Sequence, residues 1–217
     1  MELLELHWIY AIGFAGQSLF GARMIVQWLS SEKEGKVVSP TLYWQISLIA
    51  SSIILCYGIL RADGIIILGQ FLSYYIYIRN LQLKNSWLNI NVLARAGLLM
   101  LPIIILTVFI TSSPKVLESI SAQTDFQQPI VVFGAIGQLI LNFRFIYQWY
   151  YSEKKKLSIL PLGFWVISLM ASILILIYGF VRKDPVLLVS QSLGCVAYVR
   201  NIILYTRKSS VPKMHDA

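Results

Sequence analysis

The sequence predicts an all-α integral membrane protein, with seven transmembrane helices in a 3+1+3 arrangement of two parallel three-helix repeats. Three observations predict it: composition, the spacing of apolar segments, and an internal repeat. Of 217 residues, 57% are hydrophobic and 13% charged, with a mean hydropathy of +0.69, against about 25% charged in a typical soluble domain. Apolar segments of the roughly 17–25 residues needed to cross a bilayer fall at 8–29, 40–60, 64–82, 93–112, 129–151, 161–181 and 185–205. They are expected as helices, because open strands would leave backbone groups unpaired in lipid and the short alternating strands of a barrel are missing.

The first segment is expected to be a retained span. The start Met1-Glu2-Leu3-Leu4-Glu5 lacks the positive flank of a secretory signal, and the apolar run is longer than a cleavable one. Shifting the chain by 121 positions aligns Gly13, Gly16, Gln17, Arg23, Gln27, Trp28, Ser31, Glu32 and Lys33 with Gly134, Gly137, Gln138, Arg144, Gln148, Trp149, Ser152, Glu153 and Lys154. Through the second and third segments, Pro40, Trp44, Ser47, Ser51, Tyr57, Asp63, Gln70, Tyr77, Arg79 and Asn80 meet Pro161, Trp165, Ser168, Ser172, Tyr178, Asp184, Gln191, Tyr198, Arg200 and Asn201. A gapless match over such polar positions marks duplication of a three-helix unit. Three is odd, so a second copy fused directly would enter upside down; the unrepeated fourth segment restores its orientation, giving parallel repeats about an axis along the membrane normal. The expected units are a first repeat at 8–84, a linker at 85–128 containing the fourth helix at 93–112, a second repeat at 129–205, and a cytoplasmic tail at 206–217.

A formal charge of +8 raises nucleic acid or anionic lipid as partner. Its distribution excludes the first. The loops on the N-terminal side hold Arg61, Lys115, Arg182 and Lys183, whereas the other side holds Lys33, Lys36, Lys84, Arg95, Lys154, Lys155, Lys156, Arg207, Lys208 and Lys213. By the positive-inside rule the C-terminus is cytoplasmic and the N-terminus outside, with Trp28, Trp44, Trp149 and Trp165 near the inner interface and Trp8 near the outer one. Cys56 and Cys195 stand alone in apolar runs, and His7 and His215 lie near the two ends, so no disulfide, metal site or cofactor is expected. Asp63 and Asp184 read as N-caps, with Pro185 opening the last helix.

The candidate site follows from polar residues on apolar helices. Gly13, Gly16, Gln17, Phe20, Arg23 and Gln27 share a face at helical periodicity. The glycines suit close helix packing; Gln17 and Gln138 suit either inter-helix bonding or a ligand. Arginines inside a span are costly, and Arg23 and Arg144, each followed one turn on by Gln27 or Gln148, read either as anchors or as a donor-rich phosphate clamp. Gln70, Tyr77 and Asn80, repeated as Gln191, Tyr198 and Asn201, form a second stripe. Arg79 and Arg200 either face the axis or snorkel to headgroups. Glu32 and Glu153 read as counter-ions to a nearby Arg, or as proton-coupling groups. Trp44 and Trp165 complete the substrate-binding set. No nucleophile or acid–base pair appears, so no enzyme activity is expected.

The pattern GxxGQ, RxxxQWxxSEK, SxxP, WxxS, YGxxRxD and RN, present in both halves, resembles the lipid A biosynthesis N-terminal domain family. The second half departs near the proline, where Leu160-Pro161 follows Ile159 and the serine stands at Ser158. That family is similar to the PQ-loop and SWEET transporters, which implies a SWEET-like 3+1+3 fold, although the Pro-Gln hallmark reads Gly16-Gln17 and Gly137-Gln138. The resemblance implies glycolipid metabolism in the inner membrane of a bacterium, beside glycosyltransferases that use polyprenyl-phosphate sugars. The resulting expectation is a transporter or flippase for a phosphate-bearing glycolipid, a polyprenyl-phosphate sugar or lipid A precursor, in which Arg23, Gln27, Arg144 and Gln148 clamp the headgroup and Gln17, Gln70, Gln138 and Gln191 line its path. The alternatives are a SWEET-like carrier of soluble sugar and a non-transporting accessory subunit of a glycosyltransferase. The expected partners are an anionic lipid or lipid-linked sugar, the bilayer and such an enzyme.

Overall fold

A computed structural model describes residues 2–61, 63–112, 129–183 and 185–209. Expectations for Lys115, Asp184, Lys213, His215, the segment 113–128 and the end of the tail lie outside these residues, as do the side chains of Glu2, Glu5, His7, Arg182 and Lys208. Among the described residues there is no strand, and the chain forms seven α-helices: α1 (Glu2–Glu34), α2 (Thr41–Leu60), α3 (Gly64–Leu83), α4 (Val92–Ser112), α5 (Pro129–Lys155), α6 (Leu162–Arg182) and α7 (Pro185–Ser209). Each of the seven apolar segments falls on one of them. A single 3-10 turn, Trp87–Asn89, precedes α4.

Helix ends follow local chemistry. Gly35 takes a positive φ of 60°, which lets Lys36 N–H reach back to Ser31 O at 3.2 Å and close α1. Lys156 stands at the matching position of the second half with φ 52°, and Leu157 N–H reaches Ser152 O at 3.1 Å. Pro40 and Pro161 then open α2 and α6 from extended backbone. Asp63 accepts the Ile66 N–H at 3.0 Å, as an N-cap should.

Among the described residues, three helical stretches are long and apolar enough to cross a membrane by length and composition: Trp8–Glu34, Thr41–Leu60 and Leu162–Val181. That is fewer than the seven spans expected. A shorter apolar stretch, Val92–Val108, lies in α4.

α1 packs on α2, α2 on α3, α5 on α6 and α6 on α7, while α3 meets α5 and α1 meets α7 across the halves. The glycines of α1 and α5 permit this close approach: a Cβ at Gly16 would stand 2.6 Å from Ile54 of α2, and one at Gly137 would stand 3.0 Å from Ile175 of α6. α4 is fastened to α3 through a local defect. Pro102 has no N–H for the Leu98 carbonyl one turn back, and Tyr74 donates its hydroxyl to that oxygen at 2.7 Å; Tyr75 does the same for Leu99 O at 3.1 Å.

The distribution of polarity is inverted relative to a soluble domain. Phe14, Leu29, Phe180, Met170 and Leu193 face outward, while Arg23, Gln27, Ser31, Asn80, Arg144, Gln148, Ser152 and Asn201 are buried. Replacing Gly16 with Leu should lower stability by about 1–3 kcal/mol through overpacking against Ile54. Gly21→Ala, where nothing lies within 4 Å, should not lower it. Thermal unfolding in detergent checks both.

Candidate functional site

The conspicuous polar residues of α1, α3, α5 and α7 meet between the halves in two related sets. Gln27 donates to Asn201 Oδ1 at 2.8 Å, and Asn201 Nδ2 donates back to Gln27 Oε1 at 3.2 Å. Gln148 and Asn80 form the same reciprocal pair, at 2.9 and 3.1 Å. All four are fully buried. Each glutamine also donates to a serine one turn on, Ser31 at 2.9 Å or Ser152 at 2.7 Å, and to the carbonyl of Val38 or Ile159 in the following loop. The asparagines hold carbonyls of their own helices, Ile76 and Ala197. With these partners the amides have little left to offer a headgroup.

Two ion pairs flank the amides. Arg79 holds Glu153 with two bonds of 2.8 Å, from Nε and Nη2, and Arg200 holds Glu32 from Nε and, at 2.7 Å, from Nη2. Glu32 and Glu153 are therefore counter-ions, and their partners belong to the opposite half. Arg79 and Arg200 reach across the halves to these carboxylates. Arg79 and then Lys156, which also bonds it, hold the Glu153 carboxyl down at about 2, from an ordinary 4.5.

Arg23 and Arg144 lie one turn deeper, only 4% and 6% exposed. Arg23 donates to Ser47 at 2.9 Å and Tyr77 at 3.0 Å, and Arg144 donates to Tyr198 at 2.9 Å. Among the described residues no carboxylate pairs with either. Aromatic faces surround them: Phe20, Tyr43, Tyr77 and Phe145 within 5.5 Å of the Arg23 guanidinium, and Phe145, Phe164 and Tyr198 within 5.5 Å of that of Arg144. The two cations thus share the Phe145 ring, and cation–π attraction takes the place of a counter-ion.

Trp44 and Trp165 point into the bundle and not to its outer surface. Both are fully buried beside this aromatic layer, with their indole N–H groups unpartnered among the described residues, as are Nε of Arg23 and Arg144. Trp28 and Trp149 are exposed as expected.

The four glutamines expected along a path are not brought together. Gln17 is exposed, because Gly13 and Gly16 turn their side of α1 toward α2 and the next residue lies about 100° around the helix. Gln191 accepts a bond from Ser172 of its own half at 2.8 Å. Gln138 is half-buried, and Gln70 Oε1 has no partner among the described residues. Sequence reading placed Tyr77 and Tyr198 on the second stripe but left Ser31, Ser152 and Phe145 without a role; the two serines recur at the 121-residue shift, which is the signal that could have found them. Among the described residues, no group of three His, Cys, Asp or Glu is placed to hold a metal.

The sequence profile of the Lipid A Biosynthesis N-terminal domain matches residues 12–82 and again 133–203. Relatives called lipid-A-disaccharide synthase include that of Chlamydia felis, 27% identical over 231 residues covering 100% of this chain and 36% of that protein. That of Chlamydia muridarum is 28% identical, over 93% of this chain and 35% of that protein. The chain thus spans about a third of the length of these relatives. No solved structure matches it. Two expectations are corrected by these relatives. The transporter or flippase reading gives way because the proteins that cover the whole chain are named for a synthase. The layer between the halves agrees with that correction, since it is filled by Trp44, Tyr77, Phe145, Trp165 and Tyr198, none more than 5% exposed. The expectation that the chain is not an enzyme gives way as well, since these relatives are named for one, although this chain spans only about a third of their length.

Asn80→Ala would strand the buried Gln148 amide and should lower stability by about 1–3 kcal/mol, seen as a lower midpoint in detergent-solubilised thermal unfolding. The Glu153 carboxylate is held below its unfolded value, so its stabilising contribution is complete above about pH 4.5 and lost as pH falls toward about 2. Midpoints measured across that window should fall in the natural chain and fall less in Glu153→Gln.

Proposed function

The chain belongs to the lipid A biosynthesis N-terminal domain family, and from that premise we propose that it is the membrane-embedded, non-transporting module of a lipid A glycosyltransferase. It holds the sugar-transferring part at the cytoplasmic face of a bacterial inner membrane, where a lipid-linked sugar acceptor resides. The observation that carries this reading is coverage: relatives named lipid-A-disaccharide synthase match 93–100% of this chain with about a third of their own length, leaving the remainder for a catalytic unit, in the same polypeptide or in a partner.

Physical features support the placement. Large apolar side chains surround the bundle, with Phe14 and Phe180 each 75% exposed, a surface that is costly in water and favourable in lipid. All seven helices cross in this reading, in the 3+1+3 order. The polar stripes of α3, α5 and α7 are compatible with spanning because they face one another, where each polar group meets another and not hydrocarbon. The Lys/Arg excess on the side of the α1–α2 and α5–α6 loops puts that side, and the C-terminus, in the cytoplasm. Reciprocal amides and a filled centre suit a rigid anchor better than two bundles rocking about an axis.

Cysteine probes test the topology. Lys183→Cys should react with an impermeant maleimide from the periplasmic side, whereas Lys36→Cys should react only after the inner membrane is opened; the reverse pattern would overturn the orientation. For the function, removing this chain from its native host should release disaccharide-synthase activity from washed membranes. Unchanged membrane-bound activity would sink the anchoring role.

A further inference from the structure

The strongest feature outside the polar layer is a cavity of about 640 Å³ at the end of the bundle where α1, α3 and α5 finish. Lys33 and Lys155 come from the last turns of α1 and α5, and Lys84 directly follows α3. Ser39 and Ser158 lie on its floor, and Tyr205 of α7 borders it. From this combination we infer that the cavity binds a phosphate ester carried on a sugar headgroup.

Charge is the first argument. Among the described residues none of the three lysines has a carboxylate within 4 Å, because the nearby acids are engaged elsewhere: Glu153 with Arg79 and Lys156, Glu32 with Arg200, and Glu34, which also borders the cavity, with Lys36 at 3.9 Å. Three ammonium groups around one recess leave a concentrated positive potential that a multiply charged anion would neutralise. Partial burial pushes the Lys84 ammonium below its usual range. An adjacent phosphate would oppose that shift.

Shape and hydrogen bonding supply the second argument. The volume falls in the range of small-molecule sites, about 300–1,000 Å³, and exceeds what a bare phosphate needs. The remaining space is bordered by the hydroxyls of Ser30, Ser39, Ser158 and Tyr205 and by Pro40 and Pro161, a mixture suited to a polyol ring. The floor is fixed: Ser39 donates to Ser158 O at 2.9 Å, and Ser158 donates to Asn80 Oδ1 at 2.8 Å. The cavity therefore rests directly on the amide pairs joining the halves. The buried Arg23 and Arg144 are less suitable for the same ligand, since Trp44, Phe145 and Trp165 fill the space around them.

The cavity needs neither an attached enzyme nor membrane anchoring by the chain, so its test is separate from that of the proposed function. The chain is placed in phosphatidylcholine nanodiscs and titrated with glucosamine 1-phosphate, with glucosamine as the phosphate-free control. A parallel arm replaces about a tenth of the lipid with phosphatidic acid and follows lipid retained in native mass spectrometry. Binding in the first arm identifies a soluble phosphate ester; retention in the second alone identifies a lipid-borne one. In either case Lys33→Gln/Lys84→Gln/Lys155→Gln should weaken binding by about tenfold or more, the triple Lys→Arg variant should retain it, and Lys154→Gln, outside the recess, should leave it unchanged. Binding in neither arm, equal binding by the triple Gln variant, or an equal loss in Lys154→Gln would overturn the assignment.

Discussion

Everything in this structure depends on two amide pairs, Gln27 with Asn201 and Gln148 with Asn80. Each is fully buried, reciprocal and shared between the halves. A primary amide in a low-dielectric interior loses several kcal/mol if its donors or acceptors go unmet, so the pairing fixes the rotation and depth of α1 against α7 and of α3 against α5. Once that register is set, Arg79 reaches Glu153 and Arg200 reaches Glu32. The loops after α1 and α5 are drawn in as well, because Ser31 and Ser152 accept the Val38 and Ile159 N–H groups at 3.1 Å. Those loops form the floor beneath the lysines.

The same register explains how two arginines persist without carboxylates. Held one turn from the amides, each guanidinium is surrounded by rings that supply a negative face, and hydroxyls of Ser47, Tyr77 and Tyr198 accept its protons. Aromatic crowding also closes the space between the halves. A polar, charged interior is usually a sign of a path for solute; here its side chains have chosen each other, and the interior acts as a fastener.

Much of the fold was legible from the chain. Seven helices, their approximate bounds and the duplicated stripes follow from hydropathy and from a gapless shift, and the family resemblance was carried by motifs that recur in both halves. Glu32 and Glu153 were legible as counter-ions, but the identity of their partners was not, since pairing across halves depends on tertiary register. Gln17 shows a different limit. Its neighbours Gly13 and Gly16 share its polarity pattern in a one-dimensional reading, yet a single step around the helix turns it outward. The burial of Trp44 was not legible, because a tryptophan near a predicted boundary reads as an interfacial anchor and its burial depends on how α2 packs on α3. The recess among Lys33, Lys84 and Lys155 joins three residues far apart in sequence, which no local spacing reveals.

The reciprocity of the amide pairs has a consequence for the duplicated architecture. A single three-helix unit carries both the glutamine and the asparagine of the lock, so its joining surface is self-complementary, the kind of surface that two identical subunits share about a twofold axis. Two separate units would have to find each other by diffusion in competition with every other copy. Covalent linkage through α4 replaces that search with a fixed, high local concentration of one designated mate. Tyr74 and Tyr75, whose counterparts in the second half are Cys195 and Val196, allow only the first half to grip the linker helix in this way. In the proposed 3+1+3 arrangement the chain would behave as a fused dimer with a built-in polarity, free to let its two halves diverge.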